Sequence, residues 1–155
     1  MKLLLVVLLV VYCAAIHRKG RDPTDEIDRQ LTAFERSFHA KRSQIVNDVF
    51  VAAGKLEIAG HTPLHGIGEI EPYVRRMHQQ HFTLKFTKRQ SSFDAVKREV
   101  IFFGFVDIEG ENWPKNSSAY NGIGKLVGYT NVPERWRINE LYLGHAPYVR
   151  KRFPF

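Results

Sequence analysis

The sequence predicts an α+β domain in which a strongly curved antiparallel sheet wraps over two to three helices. Three observations support this fold class. Two amphipathic helix patterns come early, several long strand patterns joined by hairpin-length turns follow, and glycines interrupt one of those strands. Glycines inside a strand favour the bends or bulges that a curved sheet requires.

Length and composition limit the class of protein. The chain has 155 residues, of which 44% are apolar and 25% charged, enough for one domain with its own core. The formal net charge of +7 favours acidic partners without identifying one. A single cysteine excludes a disulfide framework and a cysteine-rich zinc site.

Residues 1–15 are typical of a secretory signal peptide. Lys2 precedes an apolar run, and Cys13-Ala14-Ala15 places small side chains before a cleavage site after Ala15. The run is shorter than the ~20 residues that a membrane-spanning helix needs, and an uncleaved anchor is the alternative. We therefore expect a secreted, extracellular chain that loses its only thiol and keeps no transmembrane segment once the signal is removed.

The first helix is predicted to begin at Asp22, which can cap it, with Pro23 in the first turn. It ends at about His39 and carries one apolar stripe, formed by Ile27, Leu31, Phe34 and Phe38. Residues 45–51 are rich in strand-forming side chains. Because Gly54-Lys55 separates them from residues 56–58, a β-hairpin is expected there.

A second helix is predicted from about residue 68 to residue 80, and its apolar face consists of Ile70, Tyr73, Val74 and Met77. Later strands are predicted where Phe82, Leu84 and Phe86 alternate with polar residues, and over residues 100–108, 120–130 and 136–143. The strand over 120–130 contains Gly122, Gly124 and Gly128, at which bends or bulges are expected.

Four local motifs occur in a fixed order: Phe34-Glu35-Arg36-Ser37-Phe38, Asp48-Val49-Phe50-Val51, Gly66-Ile67-Gly68-Glu69-Ile70 and Arg135-Trp136-Arg137-Ile138. Their order and spacing resemble the nuclear transport factor 2-like superfamily, especially its ketosteroid isomerase-like and polyketide cyclase-like (SnoaL-like) members. The resemblance covers about residues 24–145. The short interval between the first two motifs implies that the family's second helix is reduced or absent.

The resemblance implies a cone-shaped α+β fold with a mixed or antiparallel sheet, a pocket between sheet and helices, and homodimers through the outer sheet face. The chain then divides into a signal peptide (1–15), a polar lead-in (16–23), the cone domain (24–145) and a basic, aromatic tail (146–155). Members of this superfamily include isomerases, cyclases, dehydratases and non-catalytic binders, so the fold leaves the activity open.

Enzymes of this superfamily use an Asp, His or Tyr that projects into the apolar cone. Alternation along the strand makes Asp107 the candidate catalytic base, with a solvated position at the strand end as the alternative. Glu140 and Tyr142 share the predicted strand face of Trp136 and could orient a polar ligand if that face points inward. If it points outward, they belong to an exposed edge or a dimer surface. Tyr73 could direct its hydroxyl into the pocket or be an ordinary core tyrosine.

Other motifs are assigned no site. His61 and His65, and likewise His78 and His81, form pairs too small for a metal centre, so no metal or cofactor is expected. Asn116 begins a glycosylation sequon. Five basic pairs, among them residues 41–42 and 75–76, are interpreted as solvated surface, and no motif indicates a nucleic-acid partner.

The function predicted from the sequence is non-catalytic binding of a small apolar or amphipathic ligand in the cone. One alternative is an enzyme of isomerase, cyclase or dehydratase type that uses a pocket carboxylate. The other is a protein-binding module that acts through the outer sheet face.

Overall fold

The computed structural model describes residues 22–110, 118–129 and 132–145, which form three α-helices and one sheet. The helices are α1 (Pro23–His39), α2 (Val46–Val49) and α3 (Ile67–Met77), with 3-10 turns at Ser43–Ile45 and His78–Gln80. The strands are β1 (Phe50–Ile58), β2 (Leu64–His65), β3 (Thr83–Asp94), β4 (Glu99–Glu109), β5 (Ser118–Tyr129) and β6 (Val132–His145). The predicted α+β class is confirmed.

Helix α1 begins and ends where the sequence predicts. The Asp22 carboxylate accepts hydrogen bonds from the Thr24 backbone N–H at 2.9 Å and from its hydroxyl at 2.7 Å, which caps the first turn. The apolar stripe of α1 is buried: Ile27, Leu31, Phe34 and Phe38. Burial of this stripe against the sheet, rather than helix propensity, accounts for most of the stability of α1.

The region before β1 differs from the prediction. Residues 43–49 form a 3-10 turn and one helical turn, so the strand expected over 45–51 is wrong for its first part, and only this single turn of helix lies between α1 and β1. The hairpin expected at Gly54-Lys55 is also wrong, because β1 continues through it to Ile58. The pairing of β1 with β6 shifts register between Phe50 and Lys55. A Cβ on Gly54 would lie 2.9 Å from the Val51 carbonyl oxygen, so this glycine permits a tight bulge rather than a turn.

The six strands form one sheet in the order β2-β1-β6-β5-β4-β3. Strand β1 pairs with β6 in parallel, and the other neighbours are antiparallel, so the sheet is mixed. Strands β2 and β3 are its edges. Within the described ranges, no helix has both the length and the apolar character needed to cross a membrane.

Strand β5 contains the irregularities that its glycines predict. Its pairing with β6 shifts register between Ile123 and Gly124 and again between Val127 and Tyr129. Gly124 also leaves room for α1, because a Cβ there would overlap the buried Ile27 side chain. These bulges increase the twist of the sheet and help it to curve around the helix.

The inside of the curved sheet is packed with aromatic rings. Phe34 of α1 makes edge contacts with Phe38 and Phe50 at centroid distances of 5.2 Å and a stacked contact with Phe86 at 6.5 Å. Strand β4 contributes a buried inner face, formed by Val100, Phe102, Val106 and Ile108. The core therefore lies between α1 and the concave face of the sheet.

Candidate functional site

A polar stripe runs along α1 one position after its apolar stripe. Asp28, Thr32 and Glu35 recur at helical spacing, and all three side chains are half-buried. Helix α1 packs against edge strand β3, and these residues meet β3 there: the Glu35 carboxylate accepts a hydrogen bond of 2.6 Å from the Phe86 backbone N–H. A carboxylate is thus held between helix and sheet.

Arg89 of β3 completes the contact between helix and strand. Its guanidinium donates to the Thr32 hydroxyl at 2.8 Å and to the Asp28 carbonyl oxygen at 3.1 Å, and it forms an ion pair with Glu35 at 3.0 Å. The pairing of β3 with β4 shifts register between Thr87 and Gln90. A bulge of this kind changes the direction of a side chain, and here the bulge contains Arg89, whose side chain points toward α1.

Tyr120 of β5 lies beside these groups on the inner face of the sheet. Its ring contacts Phe86 at a centroid distance of 4.7 Å and Phe102 at 6.3 Å, and the residue has no exposed surface. Within the described part of the chain, its hydroxyl has no hydrogen-bond partner. We call Asp28, Thr32, Glu35, Arg89 and Tyr120 the polar seam.

The charges of the polar seam affect one another. Burial raises the pKa of the Tyr120 hydroxyl, an effect that Arg89 opposes and that Asp28 and Glu35 reinforce. The hydroxyl therefore stays protonated and can donate a hydrogen bond throughout the physiological pH range. Burial likewise raises the pKa of the Asp28 carboxyl, while Arg89 opposes the rise and Asp25 adds to it.

The raised pKa of Asp28 predicts how stability depends on pH. The Asp28 carboxyl binds its proton more tightly in the folded state than in the unfolded chain. The protonated carboxyl therefore contributes to folding stability in full below pH 3.8, and this contribution is lost as pH rises through the folded-state pKa. We expect Asp28→Asn and wild type to melt together at low pH and the variant to melt higher at neutral pH. Melting temperatures between pH 3 and pH 7 test this.

Asp107→Asn is the matched control for this measurement, because Asp107 is exposed on the opposite face of the sheet. An Asp28→Asn variant that melts lower than wild type at neutral pH would contradict the prediction. That result would show that attraction between Asp28 and Arg89 outweighs desolvation.

Asp107 does not project into the cone, and the alternative of a solvated position near the strand end is the correct one. Its neighbours Val106 and Ile108 are buried on the inner face, whereas Asp107 is exposed on the outer face, where it pairs with Lys85 of β3. The alternation along β4 is real, but the face carrying Asp107 is the convex one. Asp107 is therefore not placed to act as a base in the cone.

Glu140 and Tyr142 also lie on the outer face. Trp136 and Ile138 face the core, but the register shift in the pairing of β5 with β6 turns the following residues over, so that Leu141 faces the core instead. On the outer face the Tyr142 hydroxyl donates to the Glu140 carboxylate at 2.8 Å. Neither residue lines the cone. They do not form an exposed edge either, because Tyr142 is only 6% exposed and β6 is an interior strand of the sheet.

The remaining candidates lie apart from the polar seam. Tyr73 is buried on α3, where its ring contacts His61 at 6.2 Å and the Arg76 guanidinium at 5.9 Å, and burial raises the pKa of its hydroxyl. Asn116 and the predicted cleavage site after Ala15 lie outside the described residues. Within those residues, no three His, Cys, Asp or Glu side chains cluster as a metal site would require.

Comparison with known proteins adds a fold but no activity. No protein-family model matches the chain, and no curated protein matches its sequence. A nuclear transport factor 2-like protein with a cystatin-like fold from Novosphingobium aromaticivorans is similar over 95% of this chain and 96% of its own, with 10% identity and a TM-score of 0.64. The chain has the nuclear transport factor 2-like fold.

Other structures with similar folds differ in their described roles. An uncharacterized protein with a cystatin-like fold from Caulobacter vibrioides is 11% identical over 84% of this chain and 95% of its own, with a TM-score of 0.66. A hexachlorocyclohexane dehydrochlorinase from Novosphingobium barchaimii is 12% identical over 77% of this chain and 83% of its own, with a TM-score of 0.61. At such identities the nuclear transport factor 2-like fold is shared, and function must be argued from the site.

Proposed function

We propose that the protein is an exported, non-catalytic binding protein that holds a small apolar or amphipathic molecule inside the cone, with Tyr120 donating a hydrogen bond to it. The observation that carries this proposal is the fully buried Tyr120 hydroxyl, which has no partner among the described residues. A buried polar group without a partner costs about 1–3 kcal/mol, so a native fold that keeps one usually supplies a bound water or ligand.

The surroundings of the hydroxyl indicate the chemistry of the ligand. Phe86 and Phe102 present apolar rings to Tyr120, and the positive charge of Arg89 is offset by Asp28 and Glu35. A molecule with an apolar body and one neutral oxygen acceptor, such as a carbonyl, matches this environment. The apolar body would contact the rings and the oxygen would accept from Tyr120.

Tyr120→Phe is expected to have opposite effects on the free and the bound protein. Without ligand, the variant loses an unpaired buried hydroxyl and gains about 1 kcal/mol in free energy of unfolding. With ligand, it loses one hydrogen bond and binds roughly tenfold more weakly. Native mass spectrometry of the secreted chain should detect a co-purifying small molecule on a polypeptide that begins at Ile16, and calorimetry then measures both effects.

Tyr142→Phe is the matched control, because it removes a tyrosine hydroxyl from the outer face and should leave ligand affinity unchanged. Wild-type protein that carries no small molecule, with only a water on Tyr120 in a crystal structure, would overturn the proposal. A mass that still includes residues 1–15 would contradict export by signal cleavage.

An enzymatic role is the second candidate, and a specific observation favours it. The Asp28 carboxyl has a raised pKa and lies beside Arg89 and Tyr120, an arrangement in which a carboxylate can act as a general base. Asp28→Asn separates the two functions once a ligand is known. A binding protein releases that ligand unchanged in both forms, whereas an enzyme converts it and the variant does not.

A protein-binding role through the outer sheet face is the remaining alternative. Ile101, Phe103 and Ile123 are half-buried there, and Phe105 is 36% exposed. Apolar side chains on an open sheet face are typical of a contact between proteins, including two copies of the same chain. The native mass spectrum that tests for ligand also reports whether the secreted protein is a monomer or a homodimer.

A further inference from the structure

Two basic pairs that are distant in the sequence meet at one end of the fold. Helices α1 and α3 both finish there, and the Ser37 carbonyl oxygen of α1 joins them. This oxygen accepts a hydrogen bond of 3.1 Å from the Arg42 backbone N–H and one of 2.8 Å from Nε2 of His78, the residue that follows α3. The pair Lys41–Arg42 is thereby held beside the last turn of α3, which contains Arg75 and Arg76.

A second contact connects the same segments. The Glu71 carboxylate of α3 accepts a hydrogen bond of 2.5 Å from the Ser43 hydroxyl and lies 3.8 Å from the Arg75 guanidinium. Ser43 directly follows Arg42, so Glu71 fixes the loop after α1 against α3. We call the exposed cations at this end the basic end; they are Arg36, Lys41, Arg42, Arg75 and Arg76.

Neighbouring groups compensate only part of the positive charge of the basic end. Cations at the end of a helix complement its dipole, an effect confined to the last turn and weak at an exposed surface. Within the described ranges, the ion pair formed by the basic end is the long contact between Arg75 and Glu71, and the Arg75 side chain is 66% exposed. The Arg76 guanidinium also lies over the Tyr73 ring. Arg36, Lys41 and Arg42 are exposed at the end of α1, where their charge is available to a partner.

The basic end suits a hydrated polyanion better than a lipid surface or a single-stranded nucleic acid. Among described residues, the exposed large apolar side chains are Phe93, Val96 and Phe105, none of which belongs to the basic end. Proteins that lie on membranes insert apolar side chains among their cations, and proteins that bind single strands stack bases on exposed aromatic rings. The basic end offers neither.

We propose that the basic end binds a sulfated polysaccharide. Closely spaced sulfates on a flexible chain match the four arginines and one lysine of the basic end, and guanidinium groups bind such oxyanions in a planar, two-point geometry. The signal sequence predicted at residues 1–15 would bring the chain into the extracellular space, where polyanions of this class occur.

Salt-dependent affinity for heparin, used as the probe, tests the proposal on the mature chain. Arg36→Gln, Lys41→Gln and Arg42→Gln combined should weaken binding roughly tenfold or more and flatten its salt dependence. The matched control combines Lys97→Gln, Arg98→Gln and Arg135→Gln, exposed cations on β-hairpins elsewhere that carry the same total charge. We expect the control to weaken binding less than about threefold.

Several outcomes would overturn the proposal. If the two triple variants weaken heparin binding equally, net charge alone governs the affinity for heparin. Wild-type protein that does not bind heparin at physiological salt would contradict the proposal directly. Tighter binding to polyuridylate or to phosphatidylserine vesicles than to heparin would also contradict it. If the triple variant melts early, Lys41→Gln alone against Lys97→Gln alone gives the same comparison on intact folds.

Discussion

Phe34→Ala is expected to lower the free energy of unfolding by about 3–5 kcal/mol, the usual cost of truncating a fully buried phenylalanine. Phe34 has no exposed surface, and its ring contacts Phe38, Phe50 and Phe86. These partners belong to α1, β1 and β3, so the truncation removes contacts from three elements at once. Chemical denaturation of the two proteins, followed by intrinsic fluorescence, measures the difference.

Phe105→Ala is the matched control for this loss. Phe105 lies on the outer face with 36% of its surface exposed, so its truncation should cost about 1 kcal/mol or less. A loss below 1 kcal/mol for Phe34→Ala would contradict close packing at this level of the cone. It would show instead that the neighbouring aromatic rings move into the space that the Phe34 ring leaves.

Local patterns predicted the helices and the core well. The cap at Asp22 and the four apolar positions of α1 are properties of consecutive residues, and the structure confirms both. The same holds for α3, where Ile70, Tyr73 and Val74 form the buried face. The periodicity of a sequence segment indicates which side of a helix is apolar. The buried side can therefore be predicted without information about distant residues.

The faces of the sheet could not be assigned in the same way. Strand β4 is apolar on both sides: Phe102 and Val106 are buried in the core, but Ile101 and Phe103 on the other side are also large and apolar. Alternation gives the period of such a strand but not which set points inward. For that reason alternation allows two positions for Asp107, which shares the face of Ile101 and Phe103, and the structure shows the solvated one.

Bulges account for the rest of the misplaced site. Strand β6 has one extra residue where its pairing with β5 shifts register. This bulge reverses the faces of the residues that follow it, so Glu140 and Tyr142 point outward. Another in β3 accompanies the turn of Arg89 toward α1. Because bulges depend on pairing between strands, only the polar positions 28, 32 and 35 of α1 offered a signal in the sequence, as a second stripe beside the apolar one.

Gly122→Ala is expected to lower the free energy of unfolding by about 2–3 kcal/mol, although alanine normally suits a strand better than glycine. A Cβ at Gly122 would overlap the Glu140 backbone carbonyl of β6 and the ring of Phe102, which lies directly opposite on β4. Neither group can move away, because one belongs to the sheet backbone and the other is buried.

Gly128→Ala in the same strand is the matched control. Its Cβ meets the exposed Glu134 side chain, which can move, so we expect the free energy of unfolding to change by no more than about 0.5 kcal/mol. Equal losses at the two positions in urea denaturation would contradict this account and assign the glycines a purely conformational role.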